Sequence, residues 1–278
     1  MTMSRTSRRA APTFPATSAR VGRGGAEQSA LQRPQRPLRE SIVDAARAEV
    51  PSGLGLDSPA VRARMVQRVR ALGVRDERVL TALAAVPRHQ FVDSALAIQA
   101  YEDTSLPIGH GQTVSKPSVV ARMIELALDG ASARKLGNLG RVLEVGTGCG
   151  YQAAVLMHLA RSVVSVERIE PLFERARECL APWRGHRGLA DLRLVYGDGR
   201  RGHAPNAPYA TVIAAAGGDE LPPAWLDQLA PGGRLVAPLQ EAPRETQRLV
   251  VVDRDESGRL QRTIHEAVHF VPLRSGLA

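Results

Sequence analysis

The 278-residue sequence contains only two cysteines, few aromatic residues and no long apolar run. Cys149 and Cys179 are far apart and lack the paired spacing of a disulfide framework or a zinc site, so no metal is expected. No segment approaches the roughly 18 to 20 uninterrupted apolar residues of a membrane-spanning helix. These absences predict a chain without a membrane segment, located in a reducing cytoplasm.

Most of the net charge of +9 lies in residues 1–40, which carry eight arginines and only two acids. This tail lacks apolar periodicity and cannot bury enough surface to offset its ordering entropy, so it is predicted to be disordered. An Arg- and Ser-rich, acid-poor start also resembles an organelle transit peptide, which is the alternative. Residues 41–278 are nearly balanced in charge, and no specific nucleic-acid partner is expected.

Residues 41–130 are predicted to form a helical cap and a substrate loop. Apolar residues recur at helical spacing up to a break at Gly73 and again after it; they are Ile42, Val43, Ala46, Val61, Met65, Val69, Leu72, Leu80 and Leu83. Between Pro87 and Pro117 the pattern is irregular and rich in Pro and Gly, which is typical of a long binding loop. Pro117 then begins another amphipathic helix.

Residues 141–278 alternate short apolar strands with helices, as in a doubly wound, mostly parallel α/β sheet. Strands are predicted at 141–145, 163–167, 192–196, 210–216, 233–238 and 248–253, with helices at about 151–160, 171–180 and 222–230. A turn at 256–258 predicts that 248–253 and 263–273 form an antiparallel hairpin at one edge. Together with the cap, this gives one domain over residues 41–278.

The chemistry is expected where the first of these strands runs into the sequence EVGTGCG at 144–150. Glycines at 146, 148 and 150 allow a tight turn and a close approach of ligand to backbone at a helix N-terminus. The G-x-G-x-G spacing differs from the dinucleotide fingerprint and favours S-adenosylmethionine. Glu167 and Asp198 follow the next two strands, where an acid can bind ribose hydroxyls or an adenine amine.

The predicted cofactor-binding residues are Glu144, Gly146, Thr147, Gly148, Gly150, Glu167, Arg168, Asp198 and Gly199. The alternative is that the glycines are ordinary turn residues and the acids ordinary strand-end residues. Their register with consecutive strands favours the cofactor interpretation.

Five runs of the sequence carry a resemblance to a known family: AYEDTSLPIGHGQTVSKPSVVARMIELA (100–127), VLEVGTGCGYQAAVLMHLA, SVERIEPL, GDGR and the ending HFVPL. Over about residues 60–273 the sequence resembles bacterial protein-L-isoaspartate O-methyltransferases. LPIGHGQTVSKP is the most specific part. The resemblance implies a class I methyltransferase fold and methyl transfer from S-adenosylmethionine to the free carboxylate of L-isoaspartyl residues in damaged proteins and peptides. It also implies a soluble repair enzyme, expected to be a monomer.

The resemblance makes Ser115 the active-site serine, with Gln112, Thr113 and Lys116 as substrate-binding candidates. A carboxylate is already ionised at pH 7, so the protein needs only to desolvate and aim it, and a hydroxyl donor suffices. The alternative role for Ser115 is to cap the helix that follows Pro117. Ala216, Gly217 and Gly218 are expected beside the reacting centre.

Four positions depart from the pattern of the family. They are Cys149 in place of serine, Lys116 in place of glutamine, Ser118 in place of an aromatic residue, and His203 in place of tryptophan. Two other functions compete with the repair enzyme. One is a methyltransferase acting on a small molecule or nucleic acid, although AAAGG after the fourth strand offers no aromatic to stack on a flipped base. The other is a non-catalytic module whose basic tail binds nucleic acid.

Overall fold

The computed structural model describes residues 58–240 and 246–278. The predicted tail at 1–40 and the first helical run, with Ile42, Val43 and Ala46, lie outside the described residues. Within the described part no helix is long and apolar enough to cross a membrane.

The cap begins with two helices, α1 (Pro59–Ala71) and α2 (Glu77–Ala85), separated at Gly73 as predicted. The expected loop contains two 3-10 turns (Arg88–Phe91 and Ser94–Gln99) and a two-stranded antiparallel ribbon of β1 (Leu106–Gly109) and β2 (Gln112–Val114). Helix α3 (Pro117–Leu128) and the short α4 (Ala131–Leu136) complete the cap. Much of the segment predicted to be irregular is therefore ordered secondary structure. The ribbon forms because Gly109, His110 and Gly111 adopt positive φ and close its turn.

A seven-stranded sheet in the order β5-β4-β3-β6-β7-β8-β9 forms the rest of the domain. Its strands are β3 (Arg141–Val145), β4 (Ser162–Glu167), β5 (Asp191–Tyr196), β6 (Tyr209–Ala214), β7 (Leu229–Leu239), β8 (Arg248–Arg254) and β9 (Leu260–Ala267). The first five pair in parallel, and β8 and β9 form the antiparallel edge hairpin. The predicted fold class is confirmed.

The predicted bounds of the last strand, 263–273, are wrong at both ends, because β9 begins at Leu260 and ends at Ala267. Beyond that point the backbone leaves the hairpin. The Phe270 N–H donates to Gln247 Oε1 at 2.7 Å, and the Leu273 N–H donates to the Gly217 carbonyl at 2.7 Å. These partners lead residues 271–278, hereafter the C-terminal segment, across the carboxyl ends of the parallel strands.

Helices α5 (Tyr151–Met157), α6 (Glu170–Leu180) and α7 (Pro223–Asp227) flank the sheet, and α5 and α7 are shorter than predicted. Neighbouring residues of β3 enter different apolar clusters. Val142 packs with the cap, α5 and α6, whereas Leu143 packs with Trp225 of α7. The sheet is thus covered on both faces, and the cap lies near the carboxyl end of β3.

Candidate active site

A cavity lies where the parallel strands end. The turn after β3, the end of β4, the β1/β2 ribbon and the C-terminal segment line it. Its lining includes these predicted site residues: Gln112, Thr113, Ser115, Gly146, Thr147, Gly148, Glu167, Arg168 and Gly199. Ala216 also lines it. Parts of the chain more than 100 residues apart in sequence therefore meet at the sheet edge where ligands bind α/β folds.

The glycine turn has two different reasons for its glycines. At Gly148 (φ +57°) an added Cβ would lie 3.1 Å from Ile108 Cδ1, so the ribbon packs directly on the turn. At Gly150 (φ +92°) an added Cβ would lie 2.6 Å from Leu180 Cδ1 of α6. Gly150 does not line the cavity. Gly150 is needed for the close packing of α6, whereas Gly148 allows the ribbon to pack on the glycine turn.

Glu167, the last residue of β4, is 5% exposed and is held by backbone N–H groups on both of its oxygens. Gly148 donates to Oε2 at 2.8 Å, and Arg168 and Ile169 both donate to Oε1 at 2.9 Å. Three amide donors fix the carboxylate at the cavity wall. An acceptor is thereby fixed where it can receive ligand hydroxyls.

Glu144 is fully buried and does not line the cavity. The Ser165 hydroxyl donates to Glu144 Oε2 at 2.5 Å, and the hydroxyls of Ser165 and Thr147 are hydrogen-bonded at 2.6 Å. Burial raises the pKa of Glu144 to about 8. Direct contact between Glu144 and a cofactor stays a prediction. In the structure the Ser165 hydroxyl links Glu144 to the hydroxyl of Thr147 in the cavity wall.

Ser115 is half-buried at the cavity, and its hydroxyl has no recorded partner within the described part of the chain. It does not cap α3, whose N-cap residue is Lys116 without a side-chain capping bond. Asp103 supplies the cap instead, accepting the Ser118 N–H at 2.8 Å and its hydroxyl at 2.7 Å. The capping alternative for Ser115 is therefore wrong, and its hydroxyl is left for a ligand.

Lys116 is exposed and lies outside the cavity, in an adjoining groove that shares Thr113 and Ser115 with it. Residues 267–272, from the end of β9 onward, form the other wall of this groove. The groove therefore leads from solvent to Ser115.

Asp198 also lies outside the cavity lining, and the C-terminal segment holds it. Its Oδ1 accepts the Arg200 N–H at 2.9 Å and its Oδ2 accepts the Gly276 N–H at 2.8 Å. Arg168 donates from Nε to the Gly276 carbonyl at 2.8 Å, and its own carbonyl accepts the Ala278 N–H at 2.8 Å. Two predicted cofactor residues thus anchor the C-terminal segment at the rim.

Sequence reasoning missed two polar residues and one segment of the wall. Tyr151 and Gln152 both line the cavity, but their polar atoms are buried, the Tyr151 hydroxyl against Arg88 and the Gln152 amide against Glu144. Their place directly after the glycine turn was the available signal. Val271, Pro272, Leu273 and Arg274 complete the lining, and nothing local in their sequence points to it.

The fixed Glu167 carboxylate and the free N–H groups of the glycine turn suit a ligand that has hydroxyls and an amino-acid end. Within the described residues, no group of three or more His, Cys, Asp or Glu is placed to hold a metal ion. This fold and site define the class of S-adenosylmethionine-dependent methyltransferases.

Comparison with known proteins makes the assignment specific. Residues 60–278 match the family model described as protein-L-isoaspartate (D-aspartate) O-methyltransferase. The chain is 61% identical to the protein-L-isoaspartate O-methyltransferase of Methylibium petroleiphilum, with 96% of this chain and 97% of the relative covered. It is also 61% identical to the Leptothrix cholodnii enzyme of the same name, with 88% and 84% covered.

Two solved structures agree with this fold. A protein-L-isoaspartate O-methyltransferase, 27% identical, superposes with a TM-score of 0.66 and covers 78% of this chain and 67% of its own. A candidate enzyme of the same name from Plasmodium falciparum, in complex with S-adenosyl-L-homocysteine, is 19% identical with a TM-score of 0.64, covering 77% and 98%. The second likeness supports the fold alone.

The chain belongs to the protein-L-isoaspartate (D-aspartate) O-methyltransferase family. It is an enzyme that transfers a methyl group from S-adenosylmethionine to the carboxylate of isoaspartyl residues in damaged proteins. The competing functions, methylation of a small molecule or nucleic acid and non-catalytic binding, are not favoured by these matches.

Proposed function

We propose that the cavity divides into a cofactor end at the glycine turn and a substrate end at Ser115. The observation that carries this division is that Ser115 and Gly146–Gly148 line the same cavity while approaching it from the ribbon side and the sheet side. The groove beside Lys116 then admits the substrate peptide.

At the cofactor end, Glu167 accepts ribose hydroxyls, and the backbone of Gly146, Thr147 and Gly148 binds the amino-acid portion. Arg168, Asp198 and Gly199 hold the rim, with Glu144 and Gly150 supporting the turn from below. When bound, S-adenosylmethionine supplies an electrophilic methyl group.

At the substrate end, the isoaspartyl carboxylate needs no general base, because it is ionised at neutral pH. The Ser115 hydroxyl donates a hydrogen bond to one carboxylate oxygen and leaves the other oxygen free to react. Gln112 and Thr113 contact the substrate backbone, and Lys116 attracts the anionic substrate along the groove. Excluding water from this end strengthens the single hydrogen bond and orients the nucleophile.

The division is tested by two variants with opposite expected effects. Ser115→Ala should lower kcat/KM for an isoaspartyl peptide by on the order of 10- to 100-fold, because a hydrogen bond to a charged group is lost. Its Kd for S-adenosylmethionine, measured by calorimetry, should stay within about twofold of wild type. Glu167→Gln should instead raise that Kd by about tenfold or more.

Ser132→Ala, on α4 and outside the cavity lining, is the matched serine control and should behave as wild type. The normal aspartyl peptide should remain unmethylated throughout. If Ser115→Ala weakens cofactor binding and leaves peptide kinetics unchanged, the two ends are wrongly assigned.

We further propose a cytoplasmic, monomeric enzyme. Both cysteines are free thiols, as a reducing compartment would keep them. Light scattering of the purified chain during size-exclusion chromatography measures the oligomeric state, and cell fractionation measures the location.

A further inference from the structure

Arg88 is a fully buried arginine at the start of the first 3-10 turn, 0% exposed, and it lies outside the cavity lining. A guanidinium remains protonated in proteins, so a full positive charge is buried here. No carboxylate of the described residues forms an ion pair with it. Burying a charge without an opposite charge is costly, and the contacts that replace the ion pair therefore need an explanation.

The Arg88 guanidinium makes its contacts with both halves of the active site. Nη2 donates to the Ser115 carbonyl at 2.8 Å and to the Thr104 carbonyl at 3.5 Å. The guanidinium carbon lies 4.5 Å from the centroid of the Tyr151 ring, a cation–π contact. Ser115 ends the substrate loop, and Tyr151 is the first residue of α5 after the glycine turn. One rigid planar cation thus spans from the substrate end to the cofactor end.

We propose that Arg88 is a positioning residue for methyl transfer, holding the Ser115 backbone at a fixed place relative to the turn that carries Tyr151. This inference rests on the proposed role of the Ser115 hydroxyl. Because α3 is capped by Asp103 and not by Ser115, no side-chain bond of Ser115 fixes its position. The carbonyl contact with Arg88 supplies that constraint, and small misplacements of a reacting group are expensive in rate.

Lysine cannot reproduce the contact, since an ammonium group lacks the guanidinium plane that lies over the Tyr151 ring. The charge alone is therefore insufficient. Arg88→Lys should lower kcat/KM for the isoaspartyl peptide by about 5- to 20-fold, and Arg88→Met by about 10- to 100-fold. Both variants should keep the Kd for S-adenosylmethionine within about threefold of wild type.

Arg254→Met is the matched control, because Arg254 also donates from a guanidinium to two backbone carbonyls, those of Leu226 and Leu229, at 3.3 and 2.8 Å. That site is on β8, away from the cavity lining. Comparable loss of kcat/KM in Arg254→Met would mean that the Arg88 effect is general destabilisation and would overturn the inference.

A double-mutant cycle separates this inference from the role of Ser115 itself. If Arg88 acts through Ser115, Arg88→Lys should cost less than about twofold in kcat/KM when Ser115 is already alanine. If the kcat/KM loss of the double variant equals the product of the losses of the two single variants, the positioning role is overturned. A Ser115→Ala variant with wild-type kinetics would instead refute the serine assignment. If Arg88→Met does not fold, the Arg88→Lys arm decides alone, and wild-type kinetics there would refute the proposal.

Discussion

Glu144 gives the sharpest prediction about stability, because it is buried at the end of β3 with a pKa raised to about 8. The main cause is desolvation, which the hydrogen bonds of Ser165 and Gln152 oppose and the charge of Glu167 reinforces. The folded-state pKa lies above the ordinary value of 4.5, so the folded protein keeps a proton that the unfolded chain releases. Stability from this group is therefore present at acidic pH and is lost as the pH rises from about 4.5 to about 8.

The magnitude follows from the linkage relation. Each pH unit inside this window costs about 1.4 kcal/mol, so raising the pH from 5 to 7 removes about 3 kcal/mol of unfolding free energy. Glu144→Gln has nearly the shape of the protonated acid but cannot ionise. Its amide puts a donor in place of one of the two acceptor oxygens beside Ser165 and Gln152, which adds a cost that does not depend on pH.

The assay is urea unfolding of wild type and Glu144→Gln at pH 5, 6, 7 and 8. The difference between their unfolding free energies cancels every other titrating group, and it should move by about 3 kcal/mol in favour of the variant between pH 5 and pH 7. Parallel stability curves for the two proteins across this range would refute the reasoning.

Two further perturbations test the contacts around the site. Asp103→Ala removes both hydrogen bonds that cap α3. It should lower the free energy of unfolding in urea by about 1 kcal/mol and also lower kcat/KM for the isoaspartyl peptide. Asp93→Ala is the control, because it removes a cap at the Ala95 N–H away from α3 and should leave the kinetics unchanged. Gly276→Pro removes the N–H donated to Asp198 and is incompatible with φ +75°, so the cofactor should dissociate several-fold faster in stopped-flow measurements. Leu277→Ala is its exposed neighbour control, and equal dissociation rates in all three proteins would count against any role of the C-terminal segment at the rim.

The sheet could be predicted from sequence because strand and helix periodicities are local. The β3 strand was predicted with its observed ends, and β4 and β5 each differ by one residue. Local patterns did not reveal where β9 stops, since the N–H groups of Phe270 and Leu273 beyond it bind Gln247 and Gly217, which are distant in sequence. The ribbon was missed for a related reason: its turn depends on His110 at φ +52°, which is uncommon for a residue other than glycine.

The site was predictable wherever a short motif sets its geometry. Gly146, Gly148 and Ser115 line the cavity as the motifs indicate. Arg88 carries no such signal, because an arginine before a loop is ordinarily a solvated residue. Only the fold brings it to the Ser115 carbonyl, 27 residues away along the chain.

The acids at the strand ends show why position along a strand decides what a residue can reach. Glu144 pairs in register with Ser165, two residues before Glu167, so it lies about 7 Å below the level at which β4 ends. From there Glu144 is linked to the cavity indirectly, through the hydroxyls of Ser165 and Thr147 and through the Gln152 amide. Neutralising Glu144 should therefore change the pH dependence of stability far more than cofactor affinity, whereas Glu167, at the upper level and held by three amides, should show the opposite balance.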